Sequence, residues 1–229
     1  MLYRQSKTRH QMSIKKVILP LFLLTLLLHC FFIYTDMVLL RAISKLLLIP
    51  LLITYLLLSH PFSNLPIRAL AGLFFSFLGD ALLIGEGSTF FLSGMIAFVL
   101  AHLNYSFYFL RIQPVTKTTR FTFLIALLLL LIFSSLVFVY LDGYLGAYQL
   151  PVMFYMLFIS LMASLAIHVI TSELNKQFAL RYFIPGAILF IISDAILAIN
   201  RFQYDGGNCV SNCGLHCSDI AKWNKVKRL

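Results

Sequence analysis

The chain has 229 residues, of which 61% are hydrophobic and 11% are charged. A soluble domain has about 45–50% apolar and about 25% charged residues, so this chain has too few polar side chains to cover a soluble globule. The composition excludes a cytosolic enzyme, a secreted disulfide scaffold and a disordered chain, and it predicts an all-α, polytopic bundle of transmembrane helices. The net charge of +10 does not indicate a nucleic-acid partner, because the cations lie at the ends of apolar runs and in the two tails.

In chain order, the apolar runs predict seven membrane spans, each close to the about 20 residues that a spanning helix needs. The second, third and seventh runs enclose charged residues, and the other four enclose none. A basic segment, residues 1–16, precedes this helical domain, residues 17–199, and a polar tail, residues 200–229, follows it. The predicted spans are residues 17–34, 42–59, 67–84, 90–110, 121–141, 148–170 and 179–199.

The distribution of Lys and Arg predicts a cytoplasmic N-terminus in a multi-pass protein, which would lie in the inner membrane of a bacterial cell. With this orientation the outer loops before the tail hold two cations, Arg41 and Lys45, and the inner segments hold eleven. The inner cations are Arg4, Lys7, Arg9, Lys15, Lys16, Arg68, Arg111, Lys117, Arg120, Lys176 and Arg181.

The tail fits this topology poorly, because it would emerge outside and yet carries cations at Lys222, Lys225, Lys227 and Arg228. A natural tail, a degenerated gene end and a reading-frame error all remain open. The tail also holds Cys209, Cys213, Cys217 and His216, but the three-residue gaps between its cysteines match no common metal framework. We therefore expect no metal and no other cofactor.

Two aspartates, Asp80 and Asp194, lie inside predicted spans, where an ionisable side chain is costly and therefore indicates a functional site. Their surroundings match at an offset of 114 residues, with a glycine, Gly72 or Gly186, eight positions before each aspartate. Eight residues return to nearly the same helix face, where a small side chain lets a neighbouring helix approach closely. An ancient duplication without a site, or two structural hydrogen bonds, would give the same pattern.

Asp80 and Asp194 should also share one depth in the membrane. Each lies four or five residues before the outer end of its span, which places both roughly 6–8 Å below that end. Lys45 falls at a similar depth in the second span, as a counter-ion or a phosphate ligand. The pattern predicts a carboxyl dyad that faces one cavity near the outer leaflet.

The fourth span carries a polar group that includes His102, Asn104 and Tyr105. His102 and Tyr105 are three residues apart and share a helix face. We interpret these side chains as substrate-positioning or proton-relaying groups, and an interhelical hydrogen bond is the structural alternative.

These residues in this order resemble the YhhN/TMEM86 family of multi-spanning lysoplasmalogenases. The resemblance covers roughly residues 45–200, and its individual motifs are short. It implies eight spans, and here the Cys-containing tail stands in place of the last one. The matching positions are Lys45 with Pro50, Phe77-Leu78-Gly79-Asp80, Phe90 through Gly94, Phe98, His102, Tyr105, Tyr155, Met162-Ala163, Gly186-Ala187, Phe190 and Ser193-Asp194.

The resemblance implies hydrolysis of the vinyl ether bond of a lysoplasmalogen, a lysophospholipid drawn from the membrane, to a fatty aldehyde and a glycerophospho-alcohol. Acid cleaves a vinyl ether through an oxocarbenium ion, and a protonated carboxyl beside an ionised one can supply both the proton and the stabilising charge. We assign the catalytic roles to Asp80 and Asp194, and substrate contacts to Lys45, His102, Asn104, Tyr105 and Ser193. The phosphate would lie near Lys45 or Arg201.

Other functions remain open. A proton-coupled transporter would use the same buried aspartate and histidine residues. An intramembrane aspartyl protease would explain Gly79-Asp80 but not Ser193-Asp194. A structural membrane subunit would need neither aspartate.

Overall fold

The structure is a computed structural model that describes residues 2–35, 37–59, 65–85 and 87–204. All regular elements in these ranges are helical. The three cysteines of the tail and its cations Lys222, Lys225, Lys227 and Arg228 lie outside the described residues, so the predictions made for them stay open. The helices are α1 Leu2–Tyr34, α2 Val38–Ser59, α3 Ile67–Leu82, α4 Ser88–Ile112, α5 Arg120–Leu145, α6 Gln149–His168, the short α7 Lys176–Phe178 and α8 Ile184–Ile199.

Irregular helical turns connect several of these helices. A 3₁₀ turn at Gly146–Tyr148 joins α5 to α6, and Gly146 has a positive φ of 50°, which a glycine adopts without strain. A second 3₁₀ turn, Val169–Thr171, follows α6. π-helical turns at Ala179–Phe183 and Asn200–Tyr204 flank α8.

Five segments of the described chain are long and apolar enough to cross a membrane, so the protein is a multi-pass membrane protein. One of them, Arg120–Thr171, contains both α5 and α6, which the turn at Gly146 separates. Helix α3 has 16 residues and is about 24 Å long, which is shorter than the about 30 Å hydrocarbon core. The predicted count of seven spans therefore stays a prediction.

Neighbouring helices pack as pairs, α1 on α2, α3 on α4 and α5 on α6, and α4 also packs against α6. The α4–α6 contact is deeply buried, since Ala101, His102, Ser164 and Ala166 have no exposed surface there. Large apolar side chains cover the outer faces of the helices. A surface of this kind is stable in the hydrocarbon of a bilayer but not in water.

The glycines that precede the two aspartates differ in their packing. A Cβ at Gly72 would collide with the ring of Tyr105, so α3 and α4 approach closely at this point, as predicted. A Cβ at Gly186 would meet no atom within 4 Å. The prediction was wrong for Gly186, because this residue is exposed and the next one, Ala187, turns into the core instead.

Candidate active site

Asp80 and Asp194 line one cavity of about 190 Å³. Helices α3 and α8 supply the two carboxyls, and α2, α4, α5 and α6 supply the other walls. Lys45 reaches the same cavity from α2. The predicted convergence of these three residues is therefore present in the structure.

Asp80 has a cationic partner. The Nζ atom of Lys45 lies 2.7 Å from Asp80 Oδ1, and the side chain of Asp80 is 14% exposed. Lys45 is 36% exposed, so its ammonium group sits at the border between the cavity and the surroundings. This ion pair stabilises the ionised form of Asp80.

Asp194 has a neutral partner. The hydroxyl of Tyr155, from α6, donates a hydrogen bond to Asp194 Oδ2. The two carboxyls and Lys45 interact electrostatically across the cavity, although no direct contact joins Lys45 to Asp194 among the ion pairs of the described residues. The two aspartates thus occupy unlike environments despite their matched sequences.

His102 extends the hydrogen-bonded chain behind Asp194. Its Nε2 atom lies 3.3 Å from the Tyr155 hydroxyl oxygen. Since Tyr155 gives its own proton to Asp194, His102 has to donate from Nε2, which leaves Nδ1 as an acceptor without a partner in the described structure. The ring of Phe190 packs edge-on against His102 at a centroid distance of 5.1 Å and holds it in place.

Of the other predicted substrate residues, one lines the cavity and two do not. Ser193 lines the cavity beside Asp194. Tyr105 lies one layer behind, because its hydroxyl is 3.4 Å from Ser76 Oγ, and it is Ser76 that lines the cavity. Asn104 is not brought to the cavity wall, since its amide donates to the Leu100 carbonyl of its own helix at 2.8 Å.

Two residues of the site were not assigned a role from the sequence, namely Tyr155 and Ser76. Tyr155 is the only tyrosine between residues 149 and 170, and a single tyrosine inside a predicted membrane span was the available signal. Ser76 lies four residues before Asp80, on the same face of α3.

Aromatic side chains close the cavity near the end of α8. Phe91 and Phe202 line it and pack edge-on at a centroid distance of 5.5 Å, and Tyr148 packs against both rings. The Arg201 guanidinium lies 5.5 Å from the centre of the Phe91 ring. Arg201 and Lys45 are therefore two cations near the cavity that could bind an anionic group.

Chemically, the cavity combines two carboxyls in unlike environments with an apolar wall. Asp80, paired with Lys45, is suited to remain ionised, and Asp194, bound to a neutral hydroxyl, is suited to hold a proton. Side chains such as Val137, Val152 and Ile159 line the wall that α5 and α6 contribute. This arrangement fits an amphiphilic molecule that reacts by protonation.

Comparison with known proteins gives a family match over most of the chain. The sequence model of the YhhN family matches residues 40–212. A bovine protein named lysoplasmalogenase TMEM86A is 31% identical over 153 residues, which is 65% of this chain. The chain spans 58% of the length of that relative. No solved structure matches the chain.

Proposed function

This chain belongs to the YhhN family, and on that basis we propose that it is a membrane-embedded lysoplasmalogenase. The reaction cleaves the vinyl ether bond of a lysoplasmalogen and yields a fatty aldehyde and glycerophosphoethanolamine or glycerophosphocholine. The name of the bovine relative supports this activity. The observation that carries the proposal is the cavity in which one carboxyl faces a cation and the other a neutral hydroxyl.

The two carboxyls take different roles in this proposal. Asp194 is the general acid, because its partner Tyr155 contributes no positive charge that would favour loss of the proton. Tyr155 binds one carboxyl oxygen, and the other oxygen carries the acid proton. Asp80 remains ionised beside Lys45 and faces the positive charge that develops on the substrate.

The reaction then proceeds in three steps. Asp194 transfers its proton to the β-carbon of the vinyl ether, and the resulting oxocarbenium ion is stabilised by the Asp80 carboxylate. Water adds to this ion and loses a proton to the Asp194 carboxylate, which restores the protonated acid beside the ionised Asp80. The hemiacetal collapses to aldehyde and alcohol. One water is consumed for each ether bond, and no oxidant or reductant is needed.

In this proposal two cations near the cavity, Lys45 and Arg201, bind the phosphate of the substrate. Lys45 already pairs with Asp80 and is partly exposed, so it can contact the phosphate at the same time. Arg201 lies next to the aromatic residues at the other side of the cavity. In the proposed topology of seven spans with the N-terminus inside, this region faces the outer leaflet.

The test is an assay of aldehyde release from lysoplasmenyl lipids with the detergent-solubilised protein. We expect Asp80→Asn and Asp194→Asn each to lower the rate by at least about a hundredfold. Asp142→Asn is the matched control, because Asp142 binds Gln149 at 3.0 Å outside the cavity and should not affect the rate.

Full activity in either cavity variant would contradict the dyad. A wild-type protein that releases no aldehyde would contradict the hydrolase itself. If such a protein instead moved a solute across vesicle membranes, the transporter alternative would replace this proposal.

A further inference from the structure

A second cavity, of about 490 Å³, lies between α5 and α6. We call it the α5–α6 groove. Seven of its nine lining side chains are apolar, and the other two are serines without charge. Val139 and Phe154 line it and are 73% and 55% exposed, so the groove opens towards the surrounding hydrocarbon.

The α5–α6 groove adjoins the candidate active site. Ser134 and Met156 line both cavities, one from each helix of the pair. The hydroxyl of Ser134 is already bound to Ser160 Oγ at 2.8 Å, so this residue presents no unpaired polar group to a chain that crosses the shared border. Met156 is an unbranched side chain that can adapt to a chain passing beside it.

The main cavity is too small to enclose a long substrate. Pockets that hold drug-sized ligands measure about 300–1,000 Å³, and the main cavity measures about 190 Å³. A single-chain lipid whose ether bond reaches Asp80 and Asp194 therefore cannot have its whole chain inside. The carboxyls come from α3 and α8, whereas Ser134 and Met156, which border both cavities, come from α5 and α6.

We infer that the α5–α6 groove binds the hydrocarbon chain of the lipid substrate and directs it out of the active site into the bilayer. The inference rests on the proposed function for the reaction that the chain takes part in. A head group does not fit the groove, since no charged residue lines it. The bound lipid would place its ether bond at the dyad, its phosphate near the cations and its chain past Met156.

The first experiment narrows the groove and varies the length of the substrate chain. Met153 lines the groove but not the main cavity, and Met153→Trp would fill it. We expect at least about a tenfold loss of aldehyde release from a long-chain lysoplasmenyl lipid, since a displaced chain misplaces the ether bond. A substrate whose chain ends before Met156 should be cleaved at the wild-type rate. Leu150→Trp is the control on the same helix, exposed and outside both cavities.

Equal losses with long and short chains, or no loss with either, would overturn the inference. Neither result affects the proposed function, because wild-type activity is measured in the same assay. An inactive wild-type protein would instead contradict the proposed function and leave the groove to the second experiment.

The second experiment measures binding without turnover. A single-chain phospholipid with a saturated ether bond and a diazirine at its chain end is photo-crosslinked to the wild-type protein, and labelled peptides are mapped by mass spectrometry. We expect labelling around Met153 and Phe154 that an unlabelled single-chain lipid displaces. Labelling that a two-chain phospholipid displaces equally well would indicate general lipid contact and overturn the inference. The inference would also be overturned if the groove were not labelled at any lipid concentration, as expected if a second copy of the chain covered it.

Discussion

The Nζ atom of Lys45 lies 2.7 Å from Oδ1 of Asp80. The equivalent aspartate in the matching segment, Asp194, receives a hydrogen bond from Tyr155 instead. Because α3 packs beside α2, Asp80 meets a cation, and because α8 packs beside α6, Asp194 meets a hydroxyl. Two similar sequences therefore present two chemically different carboxyls to one cavity, as an acid–base pair requires.

Lys45→Met should remove activity and lower the stability of the fold. It leaves the Asp80 carboxylate in a mostly buried position without a cation, which we expect to cost about 1–3 kcal/mol of unfolding free energy. This is less than for a fully buried pair, because Lys45 is partly exposed. Thermal denaturation in detergent and aldehyde release measure the two effects.

The double variant Lys45→Met with Asp80→Asn separates charge from structure. It should recover the thermal stability, since no charge is left unpaired, but not the activity. Arg41→Met, one helical turn earlier on α2, should change both measurements little. If the double variant were as unstable as Lys45→Met, the unpaired charge of Asp80 would not be the cause of the lower stability.

Tyr155→Phe should lower the rate by about tenfold while the KM for the substrate changes little. The substitution removes the hydrogen bond to Asp194 but keeps the ring in the cavity wall. A hydrogen bond of about 1.5 kcal/mol corresponds to roughly this factor in rate. Tyr148→Phe is the control, because Tyr148 packs through its ring on Phe91 and Phe202. An equal change in both variants would contradict a specific role for Tyr155.

Substitutions of His102 should separate activity from stability. In His102→Gln the amide nitrogen can replace Nε2 as a donor to Tyr155, so most of the activity should remain. His102→Leu cannot donate, and we expect a rate about tenfold lower than in His102→Gln.

The stability of these two variants gives an independent readout. His102→Leu also removes the buried Nδ1 atom that has no partner, so its apparent Tm should not fall below that of His102→Gln. A purely structural histidine would instead lose stability and activity together. The paired measurement therefore distinguishes a relay from a packing role.

Helix positions were predictable from the sequence because the thickness of the bilayer fixes the length of an apolar run. The predicted span at residues 67–84 compares with α3 Ile67–Leu82, and the span at 121–141 with α5 Arg120–Leu145. The convergence of Asp80 and Asp194 on one cavity was predicted from their matched sequence surroundings and from the similar depth that the predicted spans give them.

The rotation of each helix about its axis was not predictable in the same way. In helix α6 the polar residues Ser160, Ser164 and His168 repeat every four positions, and Tyr155 lies five residues before the first of them, on a different face. This polar face therefore does not show that Tyr155 turns towards Asp194. Asn104 was assigned to the site because it is polar and close to His102, but its amide is satisfied by the backbone of α4. A polar side chain of this kind can form a hydrogen bond to a neighbouring helix or to a backbone carbonyl of its own helix, and the packing of the helices determines which bond forms.

Glycine-to-alanine substitutions at Gly72 and Gly186 should have opposite effects on stability. At Gly72 the added methyl group meets the Tyr105 ring, and a shift of this ring would break its contact with Ser76. Overpacking of this kind costs about 1–3 kcal/mol. At Gly186 the methyl group meets nothing within 4 Å, so the gain in helix propensity of about 0.5–1 kcal/mol remains.

Thermal denaturation of both variants in the same detergent tests this difference. Gly72→Ala should lower the apparent Tm and Gly186→Ala should leave it unchanged or raise it. Adding Tyr105→Leu to Gly72→Ala should recover part of the loss, because the smaller side chain makes room for the methyl group. Equal responses at the two glycines would mean that the close approach of α3 and α4 at Tyr105 does not occur in the membrane protein.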